Sequence, residues 1–205
     1  ILLTTYTAVN IIALFMDSSK HTTRVAVKLI FALGITDFLD SLAGNGLQIN
    51  INVRANLTHD YYLEIQRLFL RNELRRGQKA KKYPHAVMDF GAEEIEFYTL
   101  NYPKSRGLEW EMEAIRQALA PELAAVQACM PEHILFLDAS EAVLRARKAG
   151  DATRSREFFA YYLNHLLSLK REWFREKKNV TFLSTDGLTA RQVGEKVKHW
   201  CEQYI

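Results

Sequence analysis

The sequence predicts an α/β domain with three layers, a parallel β-sheet flanked by helices on both faces. Short apolar runs of strand length occur at residues 9–15, 86–89, 134–138 and 180–184, and residues 35–39 make a candidate fifth. Buried parallel strands look like this because helices cover both faces and leave no polar alternation. Longer segments with apolar residues at three- and four-residue steps separate the runs. Strand and helix alternating along one chain favour a parallel sheet.

The elements follow in order. The run at 9–15 leads through a loop into a helical pattern at 24–33, and the run at 35–39 ends at Asp40. Residues 61–76 carry Tyr61, Ile65, Leu68, Phe69 and Leu74 at helical spacing, with Arg67, Arg71 and Arg75 opposite. The run at 86–89 ends at Asp89 and precedes a helix at 92–100. Helical periodicity returns at 109–129 and 154–176. A last helix is expected at 189–204, with Val193, Val197, Trp200 and Tyr204 as its packing stripe. No repeat or low-complexity linker interrupts the 205 residues, so one domain spanning 1–205 is expected.

Composition narrows the function classes. Hydrophobic residues make up 48% and charged residues 25%, the balance of a globular protein. Lys and Arg total 27 against 24 Asp and Glu, so the net charge of +3 does not by itself call for nucleic acid. The run Arg67, Arg71, Arg75, Arg76, Lys79, Lys81, Lys82 is the one stretch suited to a nucleic-acid module, and no fold signature accompanies it. Cys129 and Cys201 lack metal spacing and read as buried free thiols. No apolar run approaches the ~20 residues that cross a bilayer. A cytoplasmic protein with no membrane partner is expected.

Three places could carry chemistry. The first is the loop Phe15-Met16-Asp17-Ser18-Ser19-Lys20-His21-Thr22-Thr23, between a strand and a helix, where a phosphate-binding loop sits. Against G-x-x-x-x-G-K-[ST], Phe15 and Lys20 stand at the glycine positions, His21 at the lysine and Thr22 at the hydroxyl. The same residues also read as a surface turn in which Ser18 or Ser19 caps the next helix. The second is Asp89, at the carboxyl end of an apolar run, where a carboxylate can hold magnesium or orient a hydroxyl; it could equally cap the following helix. The third is the cluster Arg145, Arg147, Lys148, Arg154 and Arg156, interrupted at Gly150-Asp151, which suits a mobile lid closing on phosphates or a solvated helix face.

The segment from Leu137-Asp138-Ala139-Ser140-Glu141 through Arg145-Ala146-Arg147 to Arg154-Ser155-Arg156-Glu157 resembles the P-loop nucleoside and nucleotide kinases, of the thymidylate kinase and deoxynucleoside kinase kind. In that family L-D-x-S-x-E closes a strand, R-x-R follows on a helix, and R-x-R-E forms the lid. Thr185-Asp186-Gly187 looks like the family's adenine-contacting turn. Asp89 falls at its D/E-R motif, with Phe90 in place of the arginine.

The resemblance implies a P-loop NTPase fold with a lid at about 145–157. It implies an ATP-dependent phosphotransferase using ATP and Mg2+ on a small hydroxyl- or phosphate-bearing acceptor, a nucleoside or nucleotide. Asp40, Asp89, Arg145, Arg154 and Arg156 would be catalytic. Ser18, Ser19, Lys20, His21, Thr22, Thr23, Arg147, Asp186 and Gly187 would bind the nucleotide, and Thr22 and Asp89 the metal. Residues 56–62 with Arg67 and Arg71 would line the acceptor pocket, while Phe97, Tyr98 and Tyr102 would stack on a base or pack in the core. Loss of both loop glycines and the lysine supports an alternative: a catalytically impaired kinase-like domain that binds a ligand or a protein. A homodimer is allowed by the sequence.

Overall fold

A computed structural model describes residues 58–88, 90–150 and 157–204. The chain is mostly helical there, and its sheet has two strands. Helix α1 (His59–Ala80) starts at Thr58, whose hydroxyl accepts from the Tyr61 amide at 3.3 Å. Asp60 in its first turn and Lys79 in its last suit the helix dipole. Its buried face is Tyr62, Leu63, Gln66, Phe69, Leu70, Glu73 and Gly77. The expected stripe is therefore rotated: Tyr61 and Leu68 are 37% and 43% exposed. Gln66 and Glu73 go inside because partners meet them, the Thr99 hydroxyl donating to Gln66 at 2.9 Å and Arg76 to Glu73 at 2.7 Å. Gly77 permits close approach of the turn beyond α4, since a Cβ there would lie 2.7 Å from Cys129 Sγ.

Helix α2 (Ala92–Ser105) is buried on every side from Ala92 to Asn101. On one side Ala92, Ile95 and Leu100 join α1 and two short helices, α3 (Met112–Ala118) and α4 (Ala120–Gln127). On the other, Phe97 and Tyr98 join Leu144, Tyr162, Leu166 and Leu167. The single helix expected at 109–129 breaks at Leu119, because Pro121 fits the first turn of a new helix but not a helix interior.

Strands β1 (Ile134–Asp138) and β2 (Val180–Ser184) pair in parallel, with Ile134 opposite Val180 and Asp138 opposite Ser184. Their bounds are those read from the apolar runs. Helix α5 (Glu141–Ala149) follows β1 and is capped by Ser140. Beyond it, α6 (Glu157–Tyr161) runs through a π-helical turn (Tyr162–Leu166) into α7 (Leu167–Arg175). Helix α8 (Ala190–Glu202) opens on a capping box between Thr189 and Gln192. Alternation along β1 sends Leu135 to Val193, Val197 and Cys201 of α8, and Ile134 and Phe136 to Phe174 of α7.

The extended three-layer parallel sheet, and with it the P-loop kinase architecture, is not what the described residues form. Residues 86–88 supply no strand, only an isolated bridge at Ala86. The expected strands at 9–15 and 35–39 lie outside the described residues. The physical reason is that a major core cluster, the one joining α1 to α4, is built from helix faces with no strand residue in it. A short apolar run does not distinguish a strand from a buried segment of another kind.

A helix buried all round would normally be apolar, yet α2 carries Glu93, Glu94 and Glu96, all at most 6% exposed. Each is met. Trp173 Nε1 donates to Glu93 at 2.9 Å, and Lys177 lies at 2.9 Å from the same carboxylate. Gln127 and Arg116 donate to Glu96 at 2.8 and 3.3 Å. Lys170 of α7 pairs with Glu94, both side chains wholly buried. The Lys170 ammonium also lies within 5.5 to 6.0 Å of the Tyr98, Tyr162 and Phe136 ring centres. Breaking a buried pair from one side strands the other charge, at a cost of about 3–5 kcal/mol. Urea unfolding of Lys170→Met should show a loss of that order, and Glu94→Leu/Lys170→Met should recover most of it. A single variant as stable as the parent would show that the pair does not hold α7 on α2.

Candidate functional site

Asp138 and Ser184 end the paired strands side by side, so two turns leave from one edge of the sheet. Open α/β sheets bind ligands at that carboxyl edge. The first turn, Ala139-Ser140, enters α5, and the second, Thr185 to Leu188, leads to α8. Hydrogen bonds tie the turns together. The Thr185 amide and hydroxyl both donate to the Asp138 carbonyl, at 2.8 and 2.9 Å. The Ser140 amide donates to Asp186 Oδ1 at 2.9 Å.

Two arginines brace this edge. Arg147, on α5, donates through Nη1 to the Thr185 hydroxyl at 2.9 Å and through Nη2 to the Thr185 carbonyl at 2.7 Å. Burial lowers its pKa from the ordinary arginine value, and the Asp186 charge opposes that shift. Arg171, on α7, donates through Nε and Nη2 to Asp138 Oδ1 at 2.9 and 2.7 Å, and through Nη2 to the Ala139 carbonyl at 2.6 Å. The Asp138 carboxylate also accepts from the Ala139 amide at 2.9 Å. It is thus a structural brace, with its charge offset by Arg171.

Sequence reasoning missed both Lys170 and Arg171. The signal was present: Leu167, Lys170 and Phe174 recur at three- and four-residue steps, which puts a lysine on the apolar face of its helix.

Among the residues expected from sequence, Arg147, Asp186 and Gly187 meet at this edge. Gly187 has φ +71°, a left-handed conformation suited to glycine, and a Cβ there would meet nothing within 4 Å. Arg145 is on the other side of α5, where its Nε donates to Glu141 at 2.8 Å and its Nη2 to Asn164 at 3.4 Å. Arg67 and Arg71 are remote from the strand ends; they donate to the Ala118 carbonyl at 3.1 Å and to Glu122 at 3.0 Å. Phe97 and Tyr98 belong to the core and offer no stacking surface, while Tyr102 lies edge-on to Tyr161. Phe90 takes φ 55° and stacks on Tyr98, with centroids 5.9 Å apart. Ser18, Ser19, Lys20, His21, Thr22, Thr23, Asp40, Asp89, Arg154 and Arg156 lie outside the described residues. Among the described residues no group of three or more His, Cys, Asp or Glu could hold a metal ion. No described helix is long and apolar enough to cross a membrane.

The Ser140 amide, assisted by the Ser140 hydroxyl and the charges of Arg147 and Arg171, holds the Asp186 carboxyl below the ordinary aspartate range. A depressed folded pKa means the bond contributes above the unfolded value and is lost as pH falls through the folded one. Carbon-13 titration of Asp186 should give a midpoint below the ordinary ~3.9. A midpoint at or above that value would show that the two turns are not joined in solution. No protein-family model matches this chain, and no curated protein matches it in sequence.

Proposed function

We propose that this chain is an ATP-dependent phosphotransferase that holds its nucleotide at the carboxyl ends of β1 and β2. The convergence of Arg147, Asp186 and Gly187 supports this most. Arg147 comes from α5 and the adjacent Asp186 and Gly187 from the turn after β2, and Thr185 joins the two. The open face at Gly187 gives a flat base room beside the turn backbone. The Arg147 guanidinium supplies a charged planar neighbour suited to phosphate or base. Pairing of Asp138 with Arg171 removes an unpaired negative charge that would repel phosphates. The acceptor is a small molecule bearing a hydroxyl or phosphate, and magnesium would come with the nucleotide.

A binding module without turnover is the second reading. It is favoured by the engagement of Arg145 and Arg147 with protein partners, bonds that must be shared or released before either reaches a phosphate. Calorimetry with Mg-ATP, combined with a screen of nucleosides and monophosphates for ADP release, separates the two. Phosphotransfer predicts saturable binding and acceptor-dependent ADP. Arg147→Ala should weaken binding about tenfold or more, the scale of a lost charged hydrogen bond. Binding without ADP release selects the module, and no heat at millimolar Mg-ATP removes the nucleotide site altogether.

A further inference from the structure

Strand β2 uses one side of its backbone to pair with β1, and its other side is open. In the parallel ladder the Ile134 amide donates to the Asn179 carbonyl and the Thr185 amide to the Asp138 carbonyl, both at 2.8 Å. Residues 179, 181, 183 and 185 therefore turn their N–H and C=O groups toward β1. Val180, Phe182 and Ser184, between them, turn theirs away. Among the described residues the sheet ends at β2, and no backbone group meets these three on the outer side. Side-chain exposure agrees: Thr181 and Ser184 are exposed, and Val180, Phe182 and Leu183 only half-buried.

An unpaired edge is a template for a further strand, and proteins blunt it with a proline, a bulge or a charge within the strand. Val180-Thr181-Phe182-Leu183-Ser184 holds no proline and no charge, and its register with β1 runs without a bulge. Val, Thr and Phe also suit a pleated ladder.

Register decides what would fit. A second copy of β2 running antiparallel about a two-fold axis must set outward-facing groups against outward-facing groups. Centring on Phe182 pairs Val180 with Ser184 of the second copy and Phe182 with its own equivalent, so the whole strand is used. The next step outward sets Lys178 opposite Asp186 of the second copy, and symmetry repeats the contact at the other end. Both residues are exposed. Sliding one copy by two residues shortens the ladder and sets Asp186 against Glu176, or Lys178 against Leu188. Phe182 lies beside Phe136, with ring centres 4.7 Å apart, so the two Phe182 rings would carry that aromatic row across the axis.

We propose that the outer edge of β2 is a homodimer interface: two copies of this chain pair β2 with β2 antiparallel into one continuous sheet, with Lys178 of each set against Asp186 of the other. One strand pair is small beside a permanent interface, so the dimer is reversible. The pairing rests on the strand edge and not on the nucleotide reading, although it brings a lysine of one copy to the turn that carries Gly187 in the other.

Sedimentation equilibrium of the intact chain over a range of concentrations should show monomer and dimer in exchange. Ser184→Pro removes an outward N–H that β1 does not use, where an edge strand accepts proline. It should leave the chain monomeric with thermal unfolding little changed. Lys178→Glu sets acid against acid at both symmetric contacts and should weaken dimerisation about tenfold. Asp186→Lys should do the same with base against base. An equimolar mixture of the Lys178→Glu and Asp186→Lys chains matches the charges at both contacts and should dimerise as the parent does. A parent chain that stays monomeric, a dimer untouched by Ser184→Pro, or a mixture no tighter than its components would overturn the proposal.

Discussion

Three carboxylates on a helix buried on every side from Ala92 to Asn101 set the terms for the rest of this structure. An isolated ionised carboxylate in an apolar interior costs far more than a domain's net stability, so α2 is buried only if each acid is met. Glu96 is met by α3 and α4, Glu93 by the end of α7 and Lys177, and Glu94 by Lys170. The partners come from both flanks, so pairing fixes where those flanks sit. Hydrophobic contact is non-directional and would tolerate sliding. The charge pairs do not, and the two core clusters on either side of α2 inherit their register.

The same constraint reaches the strand edge through α7. Lys170 turns inward to Glu94 while its neighbour Arg171 turns to Asp138, so one helix anchors both the core and the turn after β1. Tyr162, in the π-helical turn before α7, lies between the two pairs. Burial pushes its phenol pKa far up, the Glu94 charge adds to this, and the Arg171 charge works against it. Its hydroxyl, like that of Tyr98, finds no partner among the described residues. Such groups are tolerated where surrounding packing over-determines them, and the seam between two ion pairs is a place of that kind.

Legibility in the sequence followed the physics of each element. Strands β1 and β2 were readable to the residue because continuous apolar runs bounded by polar turns have few other meanings at that length. Helix α8 was readable from its stripe, though Tyr204 lies beyond the helix and is 42% exposed. Helix α1 was placed correctly but rotated, because hydropathy assigns Gln66 and Glu73 to solvent and cannot see the partners that admit them to the core. The sheet was over-read, since an apolar run such as 86–88 takes its meaning from what lies beside it. At the strand edge, the motif residues Arg147, Asp186 and Gly187 lie together, while Arg171 reads in the sequence as one more charge on a charged helix. Contacts across more than thirty residues, such as Arg171 to Asp138, leave no trace in local spacing.

Amide hydrogen exchange with and without saturating Mg-ATP tests most directly the proposed nucleotide site at the carboxyl edge of β1 and β2, braced from α7. Protection is predicted at residues 138–141 and 184–188, with little change in the already buried α2. Protection confined to other parts of the chain, with the two turns exchanging as fast as before, would contradict it.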